Sequence, residues 1–284
     1  MKGWLERLVL LAALLGLALP GQAQDAAVER SIEQVAGNVY RFRSDNHYGV
    51  FLVTDAGVIV ADPLSTETAA WLKQELRQRF AQDVKYVIYS HDHWDHATGA
   101  AEFEGATIIA HANAVPHIAA ATAAIAPPDI TFSSELDLRL GQGSVHLYYL
   151  GENHSDNLIF MVFPEERVLF AVDAVAVDTL PFQNFPDTDI DGLIGALTAL
   201  EQMDVDVVVP GHGAMGTLAD LRAHREYLED LKDQVTALLR AGNADAVIKS
   251  RVDLSRYQQW NAYEQWREAN IEGMIAYVKS HYSF

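Results

Sequence analysis

Residues 91–96 read His91-Asp92-His93-Trp94-Asp95-His96, and they follow an apolar, β-branched and aromatic run, Tyr86 to Tyr89. Such a run reads as a buried strand, and the polar residues after it as the loop at its end. Side chains alternate along extended backbone, so His91 and His93 point the same way and can pinch one cation. Asp95 and His96 follow where the chain turns and can face a second cation nearby. Imidazole nitrogen and carboxylate oxygen are the donors that zinc accepts where no thiolate is present. The chain has no cysteine, so no thiolate competes for the role.

Working outward, short strands are expected at Val39 to Phe42, Val50 to Thr54 and Val58 to Ala61, the last two joined by the hairpin signal Asp55-Ala56-Gly57. A helix follows, capped by Ser65 or Thr66, with Ala69, Leu72, Leu76 and Phe80 on one face. After the histidine loop come a small-residue helical stretch from Ala97 to Phe103, a strand from Thr107 to Ala110, and an Ala-rich helix from Asn113 to Ala124 stopped by Pro127-Pro128. The second half repeats the style, with strands at Val145 to Leu150, Leu158 to Phe163 and Val168 to Val172, a helix from Ile190 to Met203, and a strand from Val205 to Val209. Strands and helices alternating in two similar halves predict an α/β fold, a four-layer αββα sandwich with helices outside. Beyond Gly213 the chain reads as helical, with Leu221, Tyr227, Leu228, Leu231, Val235 and Leu238 amphipathic and Trp260, Tyr263, Trp266 and Tyr277 packing the last helices onto the core.

The loop at residues 91–96 resembles the HxHxDH signature of the metallo-β-lactamase superfamily, and the rest of that pattern occurs in order across residues 31–215. Gly151-Glu152-Asn153-His154-Ser155-Asp156-Asn157 supplies a third histidine, Phe170-Ala171-Val172-Asp173 an acidic residue after a strand, and Val209-Pro210-Gly211-His212-Gly213 a histidine in a glycine turn. The resemblance implies two zinc ions per chain, other divalent metals being compatible with the same donors. His91, His93 and His154 would hold the first, Asp95, His96 and His212 the second, with Asp173 bridging. Asp62, ending the Val58 to Ala61 strand, stands where a carboxylate would orient a ligand histidine. His111 and Phe182 stand where they could line a pocket, and His47 sits in a polar loop that could reach it. His117, His146, His224 and His281 read as surface or packing residues.

The resemblance further implies a hydrolase in which hydroxide generated on the metal pair attacks an electrophilic centre, with Asp95 orienting the nucleophile or relaying its proton. Flavodiiron relatives carry a glutamate where this chain has His93, and cysteine-dependent β-lactamases a thiolate where it has Asp173. The ligand set looks most like that of glyoxalase II and lactonases. Residues 174–190 contain no lysine or arginine and include Phe182 and Phe185. The expected substrate is therefore a neutral or weakly charged ester, lactone, thioester or amide. Two other readings stand beside it: a periplasmic β-lactam hydrolase, and a non-catalytic metal-binding maturation factor for an exported oxidoreductase.

Composition sets the remaining limits. The net charge of −19 repels phosphate backbones, so nucleic acid is not an expected partner. Lys2 and Arg7 precede an apolar run, Leu8 to Leu19, which Pro20 breaks before Gly21-Gln22-Ala23. Residues 1–23 therefore read as a cleaved secretory signal. The expected mature protein is residues 24–284, one domain with a helical extension over residues 214–284. It would be periplasmic or secreted, act on a small molecule and have no membrane segment.

Overall fold

The computed structural model describes residues 28–283; the leader expected at residues 1–23 lies outside them. Seven strands form the first sheet in chain order. They are β1 (Arg30–Ala36), β2 (Val39–Ser44), β3 (His47–Thr54), β4 (Gly57–Ala61), β5 (Val84–Ile88), β6 (Thr107–His111) and β7 (Ile130–Phe132). The first four run antiparallel as a meander; β4 to β7 run parallel. Parallel neighbours need crossovers, and these carry α1 (Thr66–Phe80), α2 (Trp94–Ala97) and α3 (Ala114–Ala120).

The second sheet holds β8 (Glu135–Leu140), β9 (Gly143–Tyr148), β10 (Phe160–Phe163), β11 (Val168–Val172) and β12 (Val207–Pro210), in the order β12-β11-β10-β9-β8. It repeats the plan, antiparallel to β11 and then parallel to β12 across the crossover helix α4 (Ile190–Leu200). Three further helices follow, α5 (Leu218–Arg240), α6 (Asp245–Arg251) and α7 (Tyr263–His281).

Alternation along β4 shows the layering. Val58 and Val60 join Leu72 and Leu76 of α1 in one apolar cluster. Ile59 and Ala61 join Leu147 and Phe160 of the second sheet in another, which continues through β10 and β11 to Leu193, Leu228 and Met274 on α4, α5 and α7. β10 and β11 are buried at every residue because helices cover one face and the first sheet the other. The fold is the expected four-layer sandwich with additional helices at the C-terminus.

Several elements depart from expectation. The strand β1 is not visible in the hydropathy because a bulge at Gln34–Ala36 breaks its period of two. β8, a clean alternation of Leu136, Leu138 and Leu140, has no counterpart among the expected strands. α3 ends at Ala120, well before Pro127: residues 121–124 are mostly exposed, and helix propensity without a buried face does not sustain a helix. In place of a helix from Ala97 to Phe103 there are α2, starting inside the histidine motif, and one 3-10 turn at Ala100–Glu102.

Topology places the site. β4 runs out into Asp62, β5 into Ser90 and His91, β11 into Asp173 and β12 into Gly211 and His212. β4 and β5 are parallel, as are β11 and β12, so the exit loops of each pair share one edge of their sheet.

Candidate metal centre

The four expected loops bring their donors together as two groups. His91, His93, His154 and Asp173 form one, Asp95, His96 and His212 the other, and within each group a donor atom of every member lies within 4.8 Å of the rest. Asp173 stands between them: its Oδ2 is 3.9 Å from His91 Nε2, 3.7 Å from His154 Nε2 and 3.3 Å from His96 Nε2, and its Oδ1 is 3.5 Å from His212 Nε2. The Val172 residue before it has φ +51, a strained value for a β-branched side chain, of the kind that persists where the surroundings over-determine it. Glycine is required at 211, where a Cβ would lie 2.4 Å from Asp173 Oδ1 and 2.9 Å from His96 Cε1.

A network of hydrogen bonds orients the imidazoles. Asp62 is fully buried and its Oδ1 accepts the Ser90 N–H at 2.7 Å. Its Oδ2 accepts the Ser90 hydroxyl at 2.7 Å and lies 2.9 Å from His96 Nδ1. Ser90 Oγ, its proton committed to Asp62, is left to accept from His91 Nδ1 at 2.8 Å. One carboxylate thus sets the tautomer of a histidine in each group, and in both the bare Nε2 faces the cluster. His212 Nδ1 is held by the Asn46 carbonyl at 2.9 Å. The loop at 151–157 is pinned to the histidine motif by a reciprocal pair, Asp92 N–H to Asn157 Oδ1 at 3.0 Å and Asn157 Nδ2 to Asp92 Oδ1 at 2.7 Å.

His91 Nε2, His96 Nε2 and Asp173 Oδ1 are buried with no hydrogen-bond partner. Unpaired buried acceptors are costly in any protein, and lone pairs converging on one space are what a cation requires. The residues therefore fit divalent metal ions of the zinc type.

The two groups differ in charge. Burial, reinforced by neighbouring imidazoles, holds His91 well below the usual range, and burial takes His154 down to about 4. Burial opposes charge on His96 as well, but Asp173 and Asp62 outweigh it and lift its pKa well above the ordinary value. His212 is lifted to about 10 in the same way by Asp173 and Asp95. Asp95 is brought down to about 2 by His212 and His96 in spite of its burial. Without metal, His96 and His212 hold their protons more strongly than His91 and His154, so a cation must displace protons in the second group. Metal bound to Asp95, His96 and His212 should therefore weaken as pH falls ahead of metal held by the first group. Metal analysis after dialysis at pH 8 and pH 5.5 checks this: the second equivalent is lost first, and loss of both together would sink the assignment.

Other expected residues lie elsewhere. His47 Nε2 is 3.6 Å from Asp95 Oδ2, at the margin of the second group. His111 is buried and stacked on Tyr149 at 3.8 Å, with Nε2 3.1 Å from the Ser133 carbonyl and Nδ1 accepting the Asn113 N–H. It faces its own packing and not the metal groups. Phe182 is exposed, edge-on to Trp266 at 5.2 Å, on the segment after β11. Ser90 and Asn157 are missed by motif reasoning. Ser90, immediately before the motif, carries no pattern of its own, while Asn157 sits in the turn-forming run around His154.

Comparison with known proteins agrees with this geometry. The sequence model of the family described as Metallo-beta-lactamase superfamily matches residues 45–212, which include every residue of both groups. The alpha subunit of 2,4-dinitroanisole O-demethylase from Nocardioides sp. is 30% identical over 63% of this chain, and the chain spans only 56% of that protein. Metallo-beta-lactamase type 2 of Elizabethkingia meningoseptica is 27% identical over 60% of this chain and 70% of its own. Among solved structures, a metallo-beta-lactamase from Pontibacter korlensis superposes with a TM-score of 0.64 at 21% identity, over 71% of this chain and 99% of that one. The sec-alkyl sulfatase PisA1 superposes with a TM-score of 0.75 at 15% identity, over 90% of this chain and 51% of its own. At those identities the structures speak for the fold alone.

Proposed function

This chain belongs to the metallo-β-lactamase superfamily, and from that premise we propose that it is an exported dinuclear zinc-dependent hydrolase of neutral esters, lactones, thioesters or amides. The observation that carries the reading is the pair of donor groups facing each other across Asp173, with His91 Nε2 and His96 Nε2 bare and buried. A structural zinc closes its sphere with four ligands and has no need of a second, facing group.

When bound, a pair of such ions supplies Lewis acidity and a water acidic enough to act near neutral pH. The chain's own residues do the rest. His91, His93 and His154 would hold one ion, Asp95, His96 and His212 the other, with Asp173 shared. Asp95, kept ionised by its histidines, presents Oδ2 at 3.6 Å from His212 Nε2 and 3.7 Å from His96 Nε2. That oxygen can accept a proton from a nucleophile and orient it toward a carbonyl carbon. Asp62 and Ser90 keep the imidazoles from rotating as charge moves. Residues 174–190 bring no cation to the site, which favours neutral over polyanionic substrates.

A second reading, β-lactam hydrolysis, is supported by the likeness to Metallo-beta-lactamase type 2 of Elizabethkingia meningoseptica. Export rests on residues 1–23. Among the described residues no helix is long and apolar enough to cross a membrane.

The test is metal content of the purified protein with hydrolysis of a chromogenic cephalosporin, an aryl ester, a lactone and a glutathione thioester. The expected result is about two zinc-type ions per chain, as the paired donor groups require. Turnover of the ester or lactone should exceed that of the glutathione thioester and be lost in His93→Ala. Less than one ion and no turnover of any substrate would overturn the reading. Strong preference for the cephalosporin would replace it with the second.

A further inference from the structure

The segment between Asp173 and α4 runs from the metal groups to the C-terminal helices and back. It starts at Asp173, and it ends where Thr188 Oγ1 donates to the His154 carbonyl at 3.3 Å and Asp189 N–H to the Asn153 carbonyl at 2.8 Å. Between these points Asp178, Gln183, Phe185 and Asp187 have φ values from +45 to +62. Non-glycine residues adopt the left-handed region at a cost, and a run of them persists only where neighbouring structure holds them.

The holding structure is one face of α7. Trp266, Asn270, Gly273 and Tyr277 are spaced four, three and four residues apart, the spacing of one helical stripe. Asn270 is fully buried, and its Nδ2 donates to the Pro181 carbonyl at 2.9 Å and the Gln183 carbonyl at 2.5 Å. Its Oδ1 accepts the Tyr227 hydroxyl of α5 at 2.6 Å. Gly273 admits the Asn184 carbonyl, which a Cβ there would meet at 2.4 Å. Trp266 receives Phe182 edge-on, and the Tyr277 hydroxyl donates to Asp189 Oδ1 at 2.6 Å. Just before α7, the Asn261 N–H donates to the Asp178 carbonyl at 2.7 Å and its own carbonyl accepts the Leu180 N–H at 3.0 Å.

We propose that Asn270 is a positioning residue for the substrate wall: through it, this face of α7 holds residues 178–189 in the one conformation that brings Thr188 and Asp189 onto the His154 loop of the metal centre. The inference rests on the hydrolase reading above, in which residues 174–190 border the substrate. Asn270 touches neither substrate nor metal. It supplies two donors to carbonyls that the left-handed turns at Gln183 and Phe185 leave without a regular partner. The C-terminal helices, on this view, select the substrate while the two sheets carry the metal.

Hydrogen–deuterium exchange on the metal-loaded full chain tests this, alongside metal content and the KM and kcat for p-nitrophenyl acetate. Asn270→Ala removes both strap bonds. It should speed exchange of residues 178–187 by roughly tenfold or more, as loss of two buried hydrogen bonds does. It should also raise KM with little change in kcat, and leave metal content at the wild-type level. Gly273→Ala, which presses on the Asn184 carbonyl and spares Asn270, should move the same two quantities in the same direction. Tyr227→Phe keeps both strap bonds and should leave the exchange of this segment at the wild-type rate.

Wild-type exchange of residues 178–187 in Asn270→Ala would overturn the proposal. So would a uniform acceleration across the protein, a loss of metal, or a loosened segment with an unchanged KM. If the wild-type protein turns over no ester at all, the hydrolase reading falls by itself, and the exchange data still decide whether Asn270 straps the segment.

Discussion

Asp173→Asn should abolish dinuclear metal binding and cut ester turnover by more than the roughly 10- to 100-fold that losing a residue which merely orients a ligand costs. The substitution keeps the shape and exchanges one oxygen for an amide, so backbone and packing have little reason to move. The electrostatics change completely. Among the described residues, Asp173 is the one carboxylate that comes within 4 Å of imidazoles of both groups, at 3.9 and 3.7 Å on one side and 3.3 and 3.5 Å on the other. It is also first among the charges that lift His96 and a principal one lifting His212. An amide there supplies no charge to balance two cations, and its N–H₂ would point a donor at the bare nitrogens or at the ions themselves. Metal analysis should find about one equivalent or less, because the three histidines of the first group remain. Two tightly held ions in Asp173→Asn would show that the shared carboxylate is not what joins the groups.

Asp62→Ala should be the most destabilising single change near the site, by about 3–5 kcal/mol in the metal-free protein. Three donors lose their acceptor at once: the Ser90 N–H, the Ser90 hydroxyl and His96 Nδ1, all in a site with no exposure to solvent. Asp62 is also one of the two carboxylates that lift the pKa of His96, and its loss would leave one. Zinc affinity should fall as well, since His96 loses its acceptor outright and the Ser90 hydroxyl that fixes His91 loses the carboxylate that orients it. Ser90→Ala is the graded comparison. It leaves the Asp62–His96 contact and the Ser90 N–H bond in place and removes the hydroxyl that links Asp62 to His91 Nδ1, so its deficit should be smaller and fall mainly on the first metal equivalent. Chemical denaturation of both variants in chelator, followed by zinc titration, measures the two effects separately. If Asp62→Ala unfolded within a few tenths of a kcal/mol of wild type, the network would be orienting nothing.

What could be read from the sequence follows from how local each signal is. His91, His93, Asp95 and His96 are neighbours in the chain, and their meaning depends only on a strand end, which Tyr86–Tyr89 announces. His154, Asp173 and His212 are recognisable because each follows an apolar strand and stands in a turn. Ser90 is not, because a serine beside a histidine motif has no periodicity and acquires its role only when Asp62 arrives from a parallel strand 28 residues away. Asn270 is further out of reach, 89 residues from the Pro181 carbonyl it holds, in a helix whose sequence speaks only of packing. At His111 the strand-end position is visible in the sequence, but the partners Tyr149 and Ser133 come from directions no local pattern reveals.

The sequence by itself determined the donor chemistry, the alternation of strands and helices, and the layered architecture, because side-chain identity and the periods of burial are written residue by residue. Only the tertiary structure decided the distances at which the two donor groups face each other, that one buried carboxylate reaches a histidine of each, directly and through Ser90, and that the last helix bonds to the segment after β11. Those facts are distances between chain segments, and they are set by the register of parallel strands and the packing of α7 against α5, which no stretch of sequence contains alone.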